Sequence, residues 1–265
     1  MKSKLQITNI ACIGGGVIGA GWLARLVENG FNVSVFDKHE NIKKKNKSTL
    51  KNAKIAFNNL TIFSRPKKGK IAYETSLKNA VKNCQLIIES VPERIEIKRK
   101  VYSEIEASCS PRAIIASSTS GLLPSDLQAK LQNPERLLVT HPFNPVYLLP
   151  LVELCGGRLT DPKVLDQTAS FLETIGMRPL KLKKEIDGFL ADRLLEAIWR
   201  ESLWLVHDDV ASVEDIDDAF RFGPGLRFAL MGSFLIYRIA GGEEGMRHFM
   251  SQFGPALKWP WTKLM

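Results

Sequence analysis

The chain contains 265 residues, 45% of them hydrophobic, which is enough to bury a sizeable core in one large domain or two unequal ones. Its apolar runs are too short to span a bilayer, and its basic start leads directly into a predicted strand rather than a signal peptide. We therefore expect a cytoplasmic protein with no membrane partner. The four cysteines lie far apart, a spacing that favours buried free thiols over a metal site.

The formal net charge of +9 is concentrated in one segment. Residues 41–70 contain ten Lys or Arg and no acidic residue. Such a segment is typical of a solvated helix face, and it would also suit phosphate groups such as those of coenzyme A. Nucleic acid fits less well as a partner, because the segment offers few aromatic side chains to stack on bases.

The first predicted elements form a strand–turn–helix–strand unit. An apolar strand over 7–13 enters a Gly-x-Gly-x-x-Gly turn at 14–19, and a helix follows over 18–29. A second short strand over 32–36 ends at Asp37, roughly 20 residues further on, as the dinucleotide-binding pattern requires. The alternative is a glycine-rich turn in an α/β domain that binds no nucleotide.

Each glycine of this turn has a separate predicted role. Gly14 permits the tight turn, Gly16 lets the backbone approach a pyrophosphate, and Gly19 lets the helix pack close to its strand. The helix N-terminus adds free N–H groups and a partial positive charge that attract phosphates. The carboxylate of Asp37 would repel the 2′-phosphate of NADP, so we predict NAD as the cofactor.

Strand-like and helix-like segments alternate as far as residue 182. Further helices are predicted through the basic stretch to about residue 60 and over 76–82, 93–107 and 162–176. Further strands are predicted over 85–88, 113–116, 137–139 and 148–154. This alternation predicts an N-terminal Rossmann-type α/β domain, a mostly parallel sheet with helices on both faces.

The pattern changes near residue 184, and no strand signal follows. One long helix is predicted over 187–207 from apolar residues at helical spacing, and another begins at Ser212 with the pattern of a capping box. We therefore predict an NAD-binding domain over 1–184 and a smaller all-helical domain over 185–265. A small helical domain cannot easily bury both faces of an apolar helix alone, so we expect a homodimer.

Three candidate catalytic residues stand at predicted strand ends, where open α/β sheets bind ligands. They are Ser120, His141 and Glu153. Near neutral pH an imidazole can accept the proton that a hydroxyl group loses on oxidation, and a carboxylate on its other nitrogen fixes the tautomer. Ser120 would hydrogen-bond the reacting oxygen. The alternative for His141 is a structural role in which it ties two loops together.

The chain resembles the 3-hydroxyacyl-CoA dehydrogenase superfamily over nearly its whole length. The resemblance is carried by residues 13–21, 89–93, 117–120, 141–145, 151–153 and 188–195. It implies an NAD-dependent oxidoreductase in which His141 is the catalytic base and Glu153 its partner, while Ser120 lies near the substrate hydroxyl. It also implies that the helical domain dimerises.

The resemblance implies further contacts around the cofactor. Asp37 would hold the adenosine ribose, and Glu93 and Lys98 would contact the NAD ribose. Ser118 stands where the acyl-CoA enzymes usually have asparagine, and Asn144 would lie near the nicotinamide. The full implied cofactor set is Gly14, Gly16, Gly19, Asp37, Glu93, Lys98, Ser118 and Asn144.

Within the superfamily, the chain is most similar to the branch that oxidises carnitine. The similar segments are 141–153, 192–201, 241–249 and the tail at 257–264. Chains of this branch continue past the tail, whereas this one stops at Met265, so we expect a shortened helical domain. The implied substrate is a small, carnitine-like molecule.

One departure from the acyl-CoA enzymes concerns substrate charge. Asp192 replaces the asparagine that they place beside the reacting centre, and Asp192, Glu196 and Trp199 share one face of the predicted helix. Two carboxylates and an indole suit a trimethylammonium group, and Phe143 and Tyr147 would add aromatic walls. The alternative is that Glu196 forms an ion pair along its helix and Trp199 packs against a partner subunit.

Three rival functions stay open. A 3-hydroxyacyl-CoA dehydrogenase would use the basic segment at 41–70 for the phosphates of its substrate. An L-gulonate 3-dehydrogenase, or its relative lambda-crystallin, would share the Ser-Ser-Thr-Ser and Gly-Leu-Arg segments. An NAD-binding protein with a structural or sensing role would not need the Ser120, His141 and Glu153 set that this sequence retains.

Overall fold

The computed structural model describes residues 7–60 and 66–258. Arg65 of the basic segment and residues 259–264 of the tail lie outside this part of the chain. The chain divides into two compact units, Met1–Leu190 and Ala191–Met265. Within the described ranges, no helix has both the length and the apolar character needed to cross a membrane.

The first unit is built on a sheet of eight described strands. They are β1 (Asn9–Ile13), β2 (Asn32–Phe36), β3 (Ile71–Tyr73), β4 (Leu86–Glu89), β5 (Ile114–Ser117), β6 (Leu137–Pro142), β7 (Leu151–Gly156) and β8 (Arg178–Lys181). Their order is β3-β2-β1-β4-β5-β6-β7-β8, and β6 and β7 are the antiparallel pair. The predicted mostly parallel sheet is confirmed.

Helices cover both faces of this sheet. They are α1 (Val17–Glu28), α2 (Ile42–Leu60), α3 (Leu77–Val81), α4 (Ile95–Glu106), α5 (Pro124–Gln128) and α6 (Pro162–Thr174). Ile10 and Cys12 lie in one apolar core with residues of α1 and α6, whereas Ala11 and Ile13 lie in another with residues of α3 and α4. Since successive side chains of a strand point to opposite faces, the two cores lie on either side of the sheet.

Some short elements differ from the predicted ones. The sequence patterns do not predict β3, α5 or β8, because elements of this length carry too little periodicity. β7 begins at Leu151 rather than at the predicted residue 148. The amides of Leu148 and Leu149 donate hydrogen bonds to the carbonyl of Pro145, so these residues form a turn. β6 extends to Pro142, so His141 lies within a strand.

Every described element of the second unit is helical. Its α-helices are α7 (Ala191–His207), α8 (Val213–Phe222), α9 (Pro224–Phe228), α10 (Ser233–Ala240) and α11 (Gly245–Phe253). The prediction that the long helix starts at residue 187 is wrong. Gly188 and Phe189 have φ values of 69° and 47°, so the right-handed helix begins only at Ala191. The capping box predicted at Ser212 is present, with Asp215 as its acid.

Candidate active site

A cavity of about 690 Å³ opens in the first unit, where β1, β2 and β4 end. Its lining includes Gly14 and Gly16 from the turn after β1, Asp37 from the end of β2, and Ser90 and Val91 from the end of β4. The carboxyl edge of a doubly wound sheet is where such folds bind nucleotides. The size and position of the cavity therefore fit a dinucleotide.

The glycines of the turn differ in their surroundings. Gly14 has a φ of 90°, which residues with a Cβ rarely adopt, and a Cβ on Gly19 would lie 1.9 Å from the carbonyl oxygen of Gly14. A Cβ on Gly16 would meet no atom within 4 Å. Because Gly16 is the N-cap of α1, this open space adjoins the free amides of the helix and suits a pyrophosphate.

Two backbone amides fix the carboxylate of Asp37. Its Oδ2 accepts a hydrogen bond from the amide of Gly15 at 2.7 Å, and its Oδ1 accepts one from the amide of His39 at 2.8 Å. A carboxylate oxygen can accept more than one hydrogen bond, so the group can still receive ribose hydroxyls. This position fits the predicted preference for NAD.

The β6–β7 pairing places His141 directly opposite Glu153. Nδ1 of His141 lies 2.9 Å from Oε2 of Glu153, and both side chains are buried. The other carboxylate oxygen accepts a hydrogen bond from the amide of Leu190 at 2.9 Å. The structure therefore brings together the pair that the sequence predicts and fixes the carboxylate at both oxygens.

Two aromatic rings lie close to the imidazole. The ring centroids of Phe143 and Phe189 are 5.1 Å and 5.5 Å from that of His141. Phe143 is half-buried, whereas Phe189 is fully buried. The sequence assigns Phe143 to the substrate pocket and does not single out Phe189. A substrate contact by Phe143 stays a prediction.

The loop that carries Ser120 is fixed by Glu93. Oε1 of Glu93 accepts hydrogen bonds from the amides of Ser120 at 3.0 Å and Gly121 at 3.3 Å, and also from the hydroxyl of Thr119. Burial opposes ionisation of Glu93, but the Thr119 hydroxyl and the Lys98 ammonium hold its pKa below the ordinary value. Glu93 is therefore an anion that orders the backbone beside Ser120, which the sequence does not predict.

A buried network lies next to this loop. Glu89 accepts hydrogen bonds from Nζ of Lys98 at 2.7 Å and from the hydroxyls of Tyr102 at 2.5 Å and Ser117 at 2.8 Å. Nζ of Lys98 also lies 3.3 Å from Glu93. Burial and the charge of Glu89 raise the pKa of Tyr102 well above its ordinary value, so its hydroxyl remains a donor. In the sequence, this network is indicated by Glu89, an acidic residue at the end of an apolar strand.

The remaining predicted residues of the first unit lie on two loops. The hydroxyl of Ser118 accepts a hydrogen bond from Nε1 of the buried Trp22 at 3.1 Å and lies 3.1 Å from the hydroxyl of Ser90, which lines the cavity. Asn144 is exposed after β6, and Tyr147 is half-buried further along that loop. Ser118 is thus linked to the nucleotide cavity, whereas the roles of Asn144 and Tyr147 stay predictions.

The predicted cation-binding residues of the second unit lie on α7. Asp192 is half-buried, Glu196 is exposed, and Trp199 is 55% exposed. Their spacing places them along one face of the helix, as predicted. Their contact with a substrate stays a prediction.

The cysteines are free thiols. Burial raises the pKa of Cys84 and of Cys155 to about 12, so both thiols stay protonated at neutral pH. Among residues 7–60 and 66–258, no cluster of His, Cys, Asp or Glu has the composition of a metal site.

A dinucleotide cavity at the carboxyl edge of a doubly wound sheet defines a Rossmann-type nucleotide-binding unit, and the buried histidine–carboxylate pair lies in the same unit. Models of the 3-hydroxyacyl-CoA dehydrogenase family match nearly the whole chain, its NAD binding domain over residues 9–186 and its C-terminal domain over 188–265. The chain belongs to this family. The predictions of the superfamily and of NAD as cofactor are confirmed.

Individual relatives support a closer comparison. An L-carnitine dehydrogenase of Mesorhizobium japonicum is 52% identical over 260 residues, which cover 98% of this chain and 71% of that protein. An L-carnitine dehydrogenase/betainyl-CoA thioesterase of Rhizobium meliloti is 52% identical over 257 residues, 97% of this chain, but the chain spans only about half of that protein, 52%. The predicted resemblance to this branch is confirmed.

A solved structure shows the same fold over nearly the whole chain. It is a 5-formyl-3-hydroxy-2-methylpyridine 4-carboxylic acid 5-dehydrogenase, described as an NAD+-dependent dismutase. The two structures superpose with a TM-score of 0.89 at 31% identity, covering 98% of this chain and 84% of the other. The predicted fold class and the assignment to NAD-dependent dehydrogenases are confirmed.

The glycine turn allows a matched test of nucleotide binding. We expect Gly19→Ala to lower the free energy of unfolding by about 1–3 kcal/mol or more, because its methyl group would overlap a backbone carbonyl. Gly16→Ala should cost less than about 1 kcal/mol, yet weaken NADH binding, because its methyl group enters the open space. Urea denaturation and NADH fluorescence titration measure the two effects. Unchanged NADH affinity in Gly16→Ala would contradict the assigned pyrophosphate position.

The buried ion pair allows a second matched test. Lys98→Met leaves the carboxylate of Glu89 buried without its cation and should cost about 3–5 kcal/mol of stability. Lys181→Met removes an exposed ion pair of similar length, to Asp166, and should cost at most about 1 kcal/mol. Urea denaturation of both variants checks the difference, and equal losses would show that the Glu89 network contributes no special stability.

Proposed function

We propose that this chain oxidises the 3-hydroxyl group of L-carnitine to 3-dehydrocarnitine with NAD+. The observation that carries the proposal is the 2.9 Å contact between His141 and Glu153 in the unit that holds the nucleotide cavity. The carnitine dehydrogenases to which the chain is 52% identical support the choice of substrate.

His141 is assigned as the general base of the reaction. With Glu153 at Nδ1, the proton of the substrate hydroxyl is received at Nε2. The buried carboxylate fixes the tautomer and stabilises the imidazolium that results. Ser120 is assigned as the hydrogen-bond partner of the reacting oxygen.

The proposed cofactor residues come partly from the cavity lining, which includes Gly14, Gly16 and Asp37, and partly from the family resemblance. NAD+ supplies the acceptor for the hydride that leaves the substrate carbon. Gly14, Gly16 and Gly19 shape the pyrophosphate site, and Asp37 binds the adenosine ribose. Glu93, Lys98, Ser118 and Asn144 complete the proposed cofactor set.

The cationic end of the substrate is assigned to the acidic face of α7. Asp192 and Glu196 supply negative charge, and Trp199 supplies an aromatic surface for a trimethylammonium group. Phe143 and Tyr147, on the loop after β6, are proposed separately as aromatic contacts for the substrate. No negative patch of this kind would be needed for an acyl-CoA thioester.

The larger organisation is part of the same proposal. An NAD-binding domain, predicted over residues 1–184, precedes a helical domain, predicted over 185–265, that would bind substrate and dimerise. The first compact unit ends slightly later than this predicted boundary, at Leu190. Neither α7 nor α8 contains a buried residue in the single chain, which supports a homodimer. We propose a cytoplasmic enzyme whose partners are its small substrate and a second copy, with no nucleic acid or membrane partner.

A substrate panel tests the proposal against its rivals. NADH formation should be fastest with L-carnitine and at least about tenfold lower in kcat/KM with 3-hydroxybutyrate, which lacks the quaternary ammonium that charge and cation–π attraction would bind. Preference for L-gulonate or 3-hydroxybutyryl-CoA would replace carnitine by that substrate. Binding of NADH without oxidation of any of these compounds would favour a structural or sensing protein.

The role of His141 is tested by substitution. His141→Ala should lower kcat by about 10²–10⁴-fold, the usual contribution of a general base, while the dissociation constant of NADH stays unchanged. His248→Ala is the matched control, because His248 is a partly exposed residue of the second unit that pairs with Glu244. Equal turnover in His141→Ala and the wild-type protein would remove His141 from the mechanism.

A further inference from the structure

The segment that ends the first unit contacts both members of the histidine–carboxylate pair. The ring of Phe189 lies 5.5 Å from the imidazole of His141, centroid to centroid. The amide of the next residue, Leu190, donates a hydrogen bond of 2.9 Å to Oε1 of Glu153. Phe189 is fully buried in the core that also contains apolar residues of β6 and β7.

The backbone of this segment adopts an unusual conformation to make these contacts. Gly188 and Phe189 have φ values of 69° and 47° in succession. The left-handed region is unfavourable for a residue with a Cβ, and such residues persist where the surrounding structure holds them. At Phe189 the aromatic side chain gains full burial against the pair, so burial compensates the backbone strain.

The segment is also anchored upstream. Both carboxylate oxygens of Glu185 accept hydrogen bonds of 2.6 Å from Ser125, one from its amide and one from its hydroxyl. The amide of Phe189 donates to the carbonyl of Ile186 at 3.1 Å and closes the turn between them. The position of Phe189 is therefore fixed by contacts on both sides of it in the chain.

We propose that Phe189 and the Leu190 amide are positioning groups for the candidate base, a role that rests on the function proposed above. The Phe189 ring, together with that of Phe143, restricts rotation of the imidazole. The Leu190 amide holds the carboxylate of Glu153 in the orientation that meets Nδ1. Proton acceptance needs Nε2 aligned with the substrate hydroxyl, so a loosened ring would slow the chemical step without weakening cofactor binding.

The same substitution, Phe to Leu, at two buried positions tests this role. Phe189→Leu removes the ring beside His141, whereas Phe171→Leu removes a ring that packs edge-on against Phe31 at 5.2 Å. We expect kcat for L-carnitine to fall about tenfold or more in Phe189→Leu and to stay within about twofold in Phe171→Leu. The KM for NAD+ should be unchanged in both.

An NMR measurement separates this role from general damage and from failure of the proposed function. The chain has four histidines, so a ¹⁵N-histidine spectrum is simple, and His141→Ala identifies the ring signals of His141. These signals should move or broaden in Phe189→Leu and not in Phe171→Leu. Unchanged His141 signals, or an equal fall of kcat in both variants, would overturn the proposal.

Two further outcomes are distinguishable. If His141→Ala retains turnover, the proposed catalytic role fails, while the NMR comparison still reports whether Phe189 holds the ring. If Phe189→Leu does not fold, Phe189→Met keeps the buried volume without the flat ring and should show the same effects to a smaller extent. Wild-type kcat and His141 signals in Phe189→Met would count against the proposal.

Discussion

The arrangement of the candidate active site depends on buried carboxylates, whose oxygens must receive hydrogen bonds or a neighbouring positive charge. Glu89 and Glu153 are both completely excluded from solvent. A buried charge is tolerated only where hydrogen bonds and counter-charges replace its hydration. Glu153 meets this requirement with His141 and the Leu190 amide, and Glu89 meets it with Lys98 and two hydroxyl groups. Each carboxylate thus fixes the groups around it.

The contacts that begin at Glu89 extend to the loop that carries Ser120. Nζ of Lys98 lies 2.7 Å from the carboxylate of Glu89 and 3.3 Å from that of Glu93. Glu93 in turn accepts a hydrogen bond of 3.0 Å from the amide of Ser120. A continuous set of ionic and hydrogen-bond contacts therefore connects the interior of the sheet to this loop. Glu153 holds the candidate base, His141, and is itself held by the Leu190 amide. Glu93 holds the backbone of Ser120, the candidate partner of the substrate hydroxyl, and is itself held by Lys98.

Local sequence patterns predicted the strand, the glycine turn and the position of Asp37 at the nucleotide cavity. The glycine turn and Asp37 lie within one short strand–helix–strand unit, where spacing and backbone sterics are sufficient to indicate the structure. The family resemblance supplied the pairing of His141 with Glu153. The antiparallel register that brings the two together could not be predicted, because it depends on the loop between β6 and β7.

The contacts that sequence did not predict are those that depend on tertiary packing. Tyr102 and Ser117 reach Glu89 across 13 and 28 residues of chain, and no local sequence pattern indicates these two contacts. The error at the start of α7 has a similar cause. Residues 187–190 have no strong helix-breaking signal beyond Gly188, and the left-handed turn is stabilised by burial of Phe189 against distant residues.

The overall charge of the chain bears on the proposed substrate only weakly. A net charge of +9 would repel a cation, but much of the excess comes from six lysines that are exposed on α2. Exposed charges are screened beyond about 8 Å at physiological ionic strength, whereas a half-buried acid such as Asp192 is screened less. In the proposed reaction, selection for a trimethylammonium group is therefore a short-range property of α7, and the basic helix can serve solubility without opposing it.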